Sequence, residues 1–113
     1  MRARLLLLLL PAVLAGCSSQ KAKELEAVKS ARSTIAEWAL VEELAVGGRA
    51  QATYVEQMRQ LAKDTLDADR KALAGQPAAA GLISQLRSGS PGPGRLKQAD
   101  SALEPLEKRL EAS

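Results

Sequence analysis

Between Lys21 and Val46 the chain runs for about seven helical turns without a proline or a glycine, and strong helix formers dominate. Leu25, Val28, Ala31, Ile35 and Trp38 recur at spacings of three and four, which places them on one helical face. A segment of this kind has few alternatives to a long helix. Composition then limits what can pack against it. Trp38 and Tyr54 are the only aromatic residues and phenylalanine is absent, so leucine and alanine must build the core. Small apolar side chains of this sort call for closely approaching helices and give modest stability.

The second half of that helix is apolar nearly all round, from Ile35 to Val46. A helix apolar on more than one face is usually held between two neighbours. On that reading Trp38 belongs to the core. The competing reading is a partner-binding surface centred on Trp38 and Leu40. Gly47-Gly48 then stops the helix, because glycine accepts the left-handed conformation common at helix ends. Two residues suffice to reverse the chain into an antiparallel neighbour.

A second amphipathic helix is expected from Arg49 to about Leu73. Tyr54, Met58, Leu61, Thr65, Ala68 and Ala72 step along it by four, three, four, three and four. This stripe is expected to be core, widened by Val55, Ala62, Leu66 and Leu73. Asp67 and Lys71 stand four apart on the polar side, with the acid N-terminal. Pro77 suits the first turn of a short helix over 78–87 that buries Leu82, Ile83 and Leu86. Residues 88–94 (Ser-Gly-Ser-Pro-Gly-Pro-Gly) read as a loop. A last helix, Arg95 to about Glu111, carries Leu96, Ala99, Leu103, Leu106 and Leu110 on one seam. Pro105 lies inside it and predicts a kink or break near Ser101 to Glu104. The expected fold is all-α: a long antiparallel hairpin, a short helix and a kinked C-terminal helix, together a small helical bundle.

The N-terminal stretch has a different character. A basic head, Met1-Arg2-Ala3-Arg4, precedes an apolar run through Leu14. That run is about ten residues, short of the ~20 a membrane-spanning helix needs. Leu14-Ala15-Gly16-Cys17 closes it with small residues and the only cysteine. The stretch resembles the lipobox of bacterial lipoproteins, over residues 1–19. The resemblance implies that Cys17 carries a diacylglyceryl thioether, that cleavage falls between Gly16 and Cys17, and that the freed amine can take a third acyl chain. Two or three chains anchor stably where one binds reversibly. Ser18 and Ser19 stand where an aspartate would favour inner-membrane retention, so the implied place is the outer membrane, facing the periplasm. The organisation expected is a cleaved signal peptide (1–16), lipidated cysteine and tether (17–20), hairpin plus short helix (21–87), loop (88–94) and C-terminal helix (95–113). Murein lipoproteins share the lipobox and the helices but attach to peptidoglycan through a C-terminal lysine. This chain ends in Ser113, with Lys108 its nearest lysine, so that role is not carried over.

Several function classes find no residues to use. Histidine is absent, which removes the commonest general base and metal ligand. With Cys17 committed to lipid, neither a zinc site nor a thiol nucleophile is expected. No glycine-rich loop follows a strand. Two of the 16 basic residues, Arg2 and Arg4, lie in the segment to be removed, so the mature chain is near neutral against 13 acidic residues. No basic stripe with interleaved aromatics invites nucleic acid. Glu42-Glu43 and Asp64-Asp67 are the carboxylate pairs nearest to a glycosidase arrangement, and read instead as solvated helix charges. No cofactor, metal or catalytic residue is expected. The function expected is that of a lipid-anchored, non-catalytic envelope protein. Its partners would be membrane lipid, through Cys17, and another envelope protein. The alternative is a membrane-active small lipoprotein, such as a toxin or stress factor.

Overall fold

A computed structural model describes the backbone of residues 2–113 and the side chains of residues 20–113. The chain is all-α, with four helices and no strand among the described residues: α1 (Arg2–Val46), α2 (Ala52–Ala72), α3 (Pro77–Ser88) and α4 (Pro93–Ala112). α1 is the central member. α2 packs along one side of it and α4 along another, while α3 lies on α2 and only touches α4. Nothing between Cys17 and Lys21 breaks a helix, and Ser18-Ser19-Gln20, expected as a tether, continue α1.

The turn between α1 and α2 explains why the hairpin closes so tightly. Gly48 has φ +66°, the left-handed conformation. Its N–H donates to the Ala45 carbonyl at 3.1 Å, and the Arg49 N–H donates to the Leu44 carbonyl at 2.9 Å. These two bonds form the Schellman arrangement, which satisfies carbonyls that a helix end would otherwise leave open. They also correct the expected start of α2. Arg49 is still completing the cap of α1, so α2 begins at Ala52, where the Gln51 carbonyl accepts its first helical bond from Val55.

α3 and α4 each begin with a proline in the first turn, where no N–H is needed. Pro93 therefore belongs to α4, and the expected loop over 88–94 shrinks to Gly89–Gly92. Pro105 does not break α4, which runs from Pro93 to Ala112. Leu103 and Leu106 on either side of it are both buried and hold the helix together across the missing bond. Ser101 and Pro105 are exposed, so the carbonyl that loses its donor lies on the wet side.

The core is built from Ala27, Val28, Ala31, Ile35, Trp38 and Ala39 of α1, together with leucines, isoleucine and alanines of the other three helices. The α1 face read from the sequence is the one that is buried, with Leu25 packed at its edge. α2 is turned so that the residues expected to widen its stripe lie deepest. Its buried line is Val55, Ala62, Leu66 and Asp69, followed by Leu73. Of the six-residue stripe headed by Tyr54, Ala72 packs against the core and Thr65 is half-buried, while Tyr54, Leu61 and Ala68 are exposed on the outer flank of α2. Tyr54 is 46% exposed and Leu61 57%, and Met58 is half-buried.

The turn carries a direct test. Gly48→Ala should destabilise the protein by about 1–2 kcal/mol, because a Cβ strains the left-handed conformation whatever the space around it. Gly47→Ala should be milder, since the nearest atom to its new Cβ is the side-chain Nε of Arg49 at 3.1 Å, the far end of a flexible chain. Urea denaturation of the two variants, side by side, distinguishes the two positions.

Candidate functional site

The α1–α2 seam contains the most buried side-chain hydrogen bond among the described residues. Trp38 and Glu42 are one turn apart on α1, and Arg59 faces them from α2. The Trp38 indole N–H donates to Glu42 Oε2 at 2.9 Å. The Arg59 guanidinium donates to both carboxylate oxygens, Nε to Oε2 and Nη2 to Oε1, each at 2.7 Å. This two-pronged geometry is the strong form of an arginine–carboxylate pair. The Arg59 hydrogen bonds hold Glu42 below the usual carboxylate range against the opposing effect of burial, with the Trp38 hydrogen bond adding to them. Glu42 in turn raises the Arg59 pKa. Trp38 is only 2% exposed. A buried indole needs an acceptor for its N–H, and Glu42 is that acceptor.

Trp38 is therefore a core residue, and the alternative reading of it as a docking surface is corrected. Leu40, paired with it in that reading, is 59% exposed. Two residues apart on a helix, the side chains point to different faces. Trp38 faces α2, and Leu40 lies on the back of α1.

The two carboxylate pairs do not assemble. Glu42 turns into the α1–α2 seam while Glu43 pairs with Lys97 of α4. Asp64 is exposed and accepts a hydrogen bond from Gln60 at 2.9 Å. Asp67 is surrounded by Arg70 at 2.8 Å, Arg87 at 3.2 Å and Lys71 at 3.4 Å, the last being the pair read from the sequence. The Arg70 hydrogen bond leads the effects that lower the Asp67 pKa. The charges at Glu42 and Asp67 are structural partners of arginines, not a facing acid and base. Among the described residues no three metal-ligating side chains cluster.

Asp69 was missed by the sequence reading. It is buried on α2, and among the described residues its carboxylate has one hydrogen bond, from Ser30 Oγ to Oδ2 at 2.9 Å. Burial pushes its carboxyl up, opposed by that hydrogen bond. The signal was present: Asp69 stands three residues after Leu66 and four before Leu73, on the line that is buried.

Several openings mark the surface, and two of them bear on docking. Between α3 and α4 a shallow groove of about 600 Å³ forms where Pro77, Ala78 and Gly81 face Ala102 and Pro105. Its floor leucine, Leu103, is already buried, and Arg109 at its rim leans on Gln76 at 3.5 Å. The second groove, about 230 Å³, runs along the outer side of the α1–α2 hairpin. Thr34, Glu37 and Val41 form one wall, Met58, Leu61 and Thr65 the other, and Trp38 lies in the floor. Met58, Leu61 and Thr65 bring the middle of the Tyr54 stripe into this groove.

No protein family, curated protein or solved structure matches the chain. Leu14, Ala15, Gly16 and Cys17 lie outside the residues whose side chains are described. Among the described residues no helix is long and apolar enough to cross a membrane.

Glu42→Gln should destabilise the protein by about 1–2 kcal/mol, a figure reduced because Arg59 is partly exposed. The Glu42 pKa is depressed in the fold, so its contribution is present above the unfolded carboxylate value and lost as pH falls through the folded one. The gap in melting midpoint between wild type and Glu42→Gln should therefore be widest near neutrality and close on acidification. Thermal melts across that range measure it.

Proposed function

We propose that this chain is a small lipid-anchored, non-catalytic helical protein of the bacterial cell envelope that docks another envelope protein. The anchor is Cys17, following Leu14-Ala15-Gly16, and the place is the outer membrane with the bundle facing the periplasm. The observation that supports docking is the outer flank of α2. Tyr54 and Leu61 keep about half of their surface in water although they head a periodic apolar stripe. A helix patterned for two apolar neighbours has one inside the monomer, and a partner is the economical account of the other. The docking surface is thus Tyr54, Met58 and Leu61, in place of Trp38 and Leu40. The polar edge beside that stripe, Gln57, Asp64 and Lys71, mixes charge signs. A lysine- and arginine-rich edge would suit a membrane-active helix better.

The experiment has two arms in the intact cell. Cys17→Ala should abolish fatty-acid labelling and leave an uncut precursor, and continued palmitate incorporation would contradict the anchor. A photo-crosslinking residue in place of Leu61 should trap a discrete adduct in the lipidated protein, whereas one in place of Leu40 should not. Equal adducts at both positions, or none at either, would contradict the docking surface.

A further inference from the structure

We infer that the groove on the outer side of the hairpin receives an amphipathic helix from a partner protein, with a lysine or arginine of that helix seated on Glu37. The inference deepens the docking role proposed above and rests on it. Its form follows from the two walls. Thr34, Glu37 and Val41 on α1, and Met58, Leu61 and Thr65 on α2, each step by three and four. Two adjacent helices that present such ridges leave a trough shaped for the ridge of a third helix. An extended peptide would find no free backbone groups there to pair with, because helices satisfy their own.

The charge of the occupant follows from Glu37. It is the only charged side chain lining the groove. It is exposed, and among the described residues it takes part in no hydrogen bond or ion pair. Its neighbours Glu42 and Glu43, by contrast, both have basic partners in the bundle. A basic residue opposite Glu37 completes the groove electrostatically. The same fact argues against a second copy of this chain. A two-fold interface sets a groove against itself, and the lining of this one offers a carboxylate and no cation.

The test uses the lipidated chain in nanodiscs of zwitterionic lipid and synthetic helical peptides of α2 length without tryptophan. Each carries a leucine ridge at three–four spacing and one central residue, lysine or glutamate. Trp38, in the floor of the groove, is the only tryptophan and reports occupancy there, so peptide bound to lipid alone is silent. The lysine peptide should bind more tightly than the glutamate peptide, and Glu37→Lys should reverse the order, each preference being roughly fivefold in Kd. Leu61→Asp should abolish the Trp38 response to both peptides. If both peptides bind equally and Leu61→Asp still blocks them, docking stands and the basic residue on Glu37 is wrong. If no peptide alters Trp38, the groove takes no helix and the inference falls, while the crosslink at position 61 still judges docking separately. If Trp38 responds to protein concentration alone, and Leu61→Asp removes that response, the occupant is a second copy and the inference is overturned.

Discussion

A single carboxylate fixes how the two long helices meet. Glu42 takes the indole N–H of Trp38 on one oxygen and both prongs of Arg59 across its two oxygens. These bonds require α2 to present Arg59 towards α1. With Arg59 in place, Val55 and Ala62, one turn away on either side, and Leu66, two turns on, go inside. Tyr54, Met58 and Leu61 are left on the outer flank. Hydrophobic pattern alone leaves the choice open, because the Tyr54 stripe and this line adjoin. Burial of a paired charge decides it: an unpaired Glu42 beside a buried indole would be far worse than an exposed tyrosine and leucine.

The same device recurs at each of the other main contacts. Arg32 of α1 reaches Asp100 of α4 at 2.7 Å and Glu107 at 3.3 Å, and the Asp100 hydrogen bond leads the effects that raise its pKa. Arg87 of α3 donates to the Lys63 carbonyl of α2 at 2.9 Å. A core of leucine and alanine is smooth, and ridges of similar small side chains fit in more than one register. Arginines that demand particular acceptors select one register at each seam. Large aromatic side chains do this work in many cores, and here only Trp38 is available. The apolar interior supplies the driving force and the three arginines supply the alignment.

Much of this architecture was legible in the sequence. The glycine pair and the run without helix breakers located the end of α1, and the 3–4 spacing located its buried face. Pro77 located α3. Three features were not legible, each for a physical reason. The start of α2 depends on backbone bonds of the cap, in which Arg49 serves α1 and not α2. The integrity of α4 across Pro105 depends on Leu103 and Leu106 gripping the bundle on both sides, a tertiary effect that local preference does not contain. The rotation of α2 depends on Glu42, which looks like one of two adjacent surface acids until Arg59 is seen opposite. Asp69 escaped for a related reason: an acid at a core spacing reads as polar until its hydroxyl partner, Ser30, is found 39 positions away. As for the candidate site, the lipid attachment proposed at Cys17 rests on Leu14-Ala15-Gly16 and the apolar leader before them. The groove was not, because its existence follows from the rotation of α2.

That rotation is the claim on which the docking surface stands, and thiol accessibility along α2 tests it most directly. In a Cys17→Ser background, single cysteines in place of Tyr54, Leu61, Val55 and Ala62 would be labelled with a maleimide in the purified, folded protein. The account predicts rapid labelling at positions 54 and 61 and strong protection at 55 and 62. Protection at 54 and 61 with rapid labelling at 55 and 62 would contradict it.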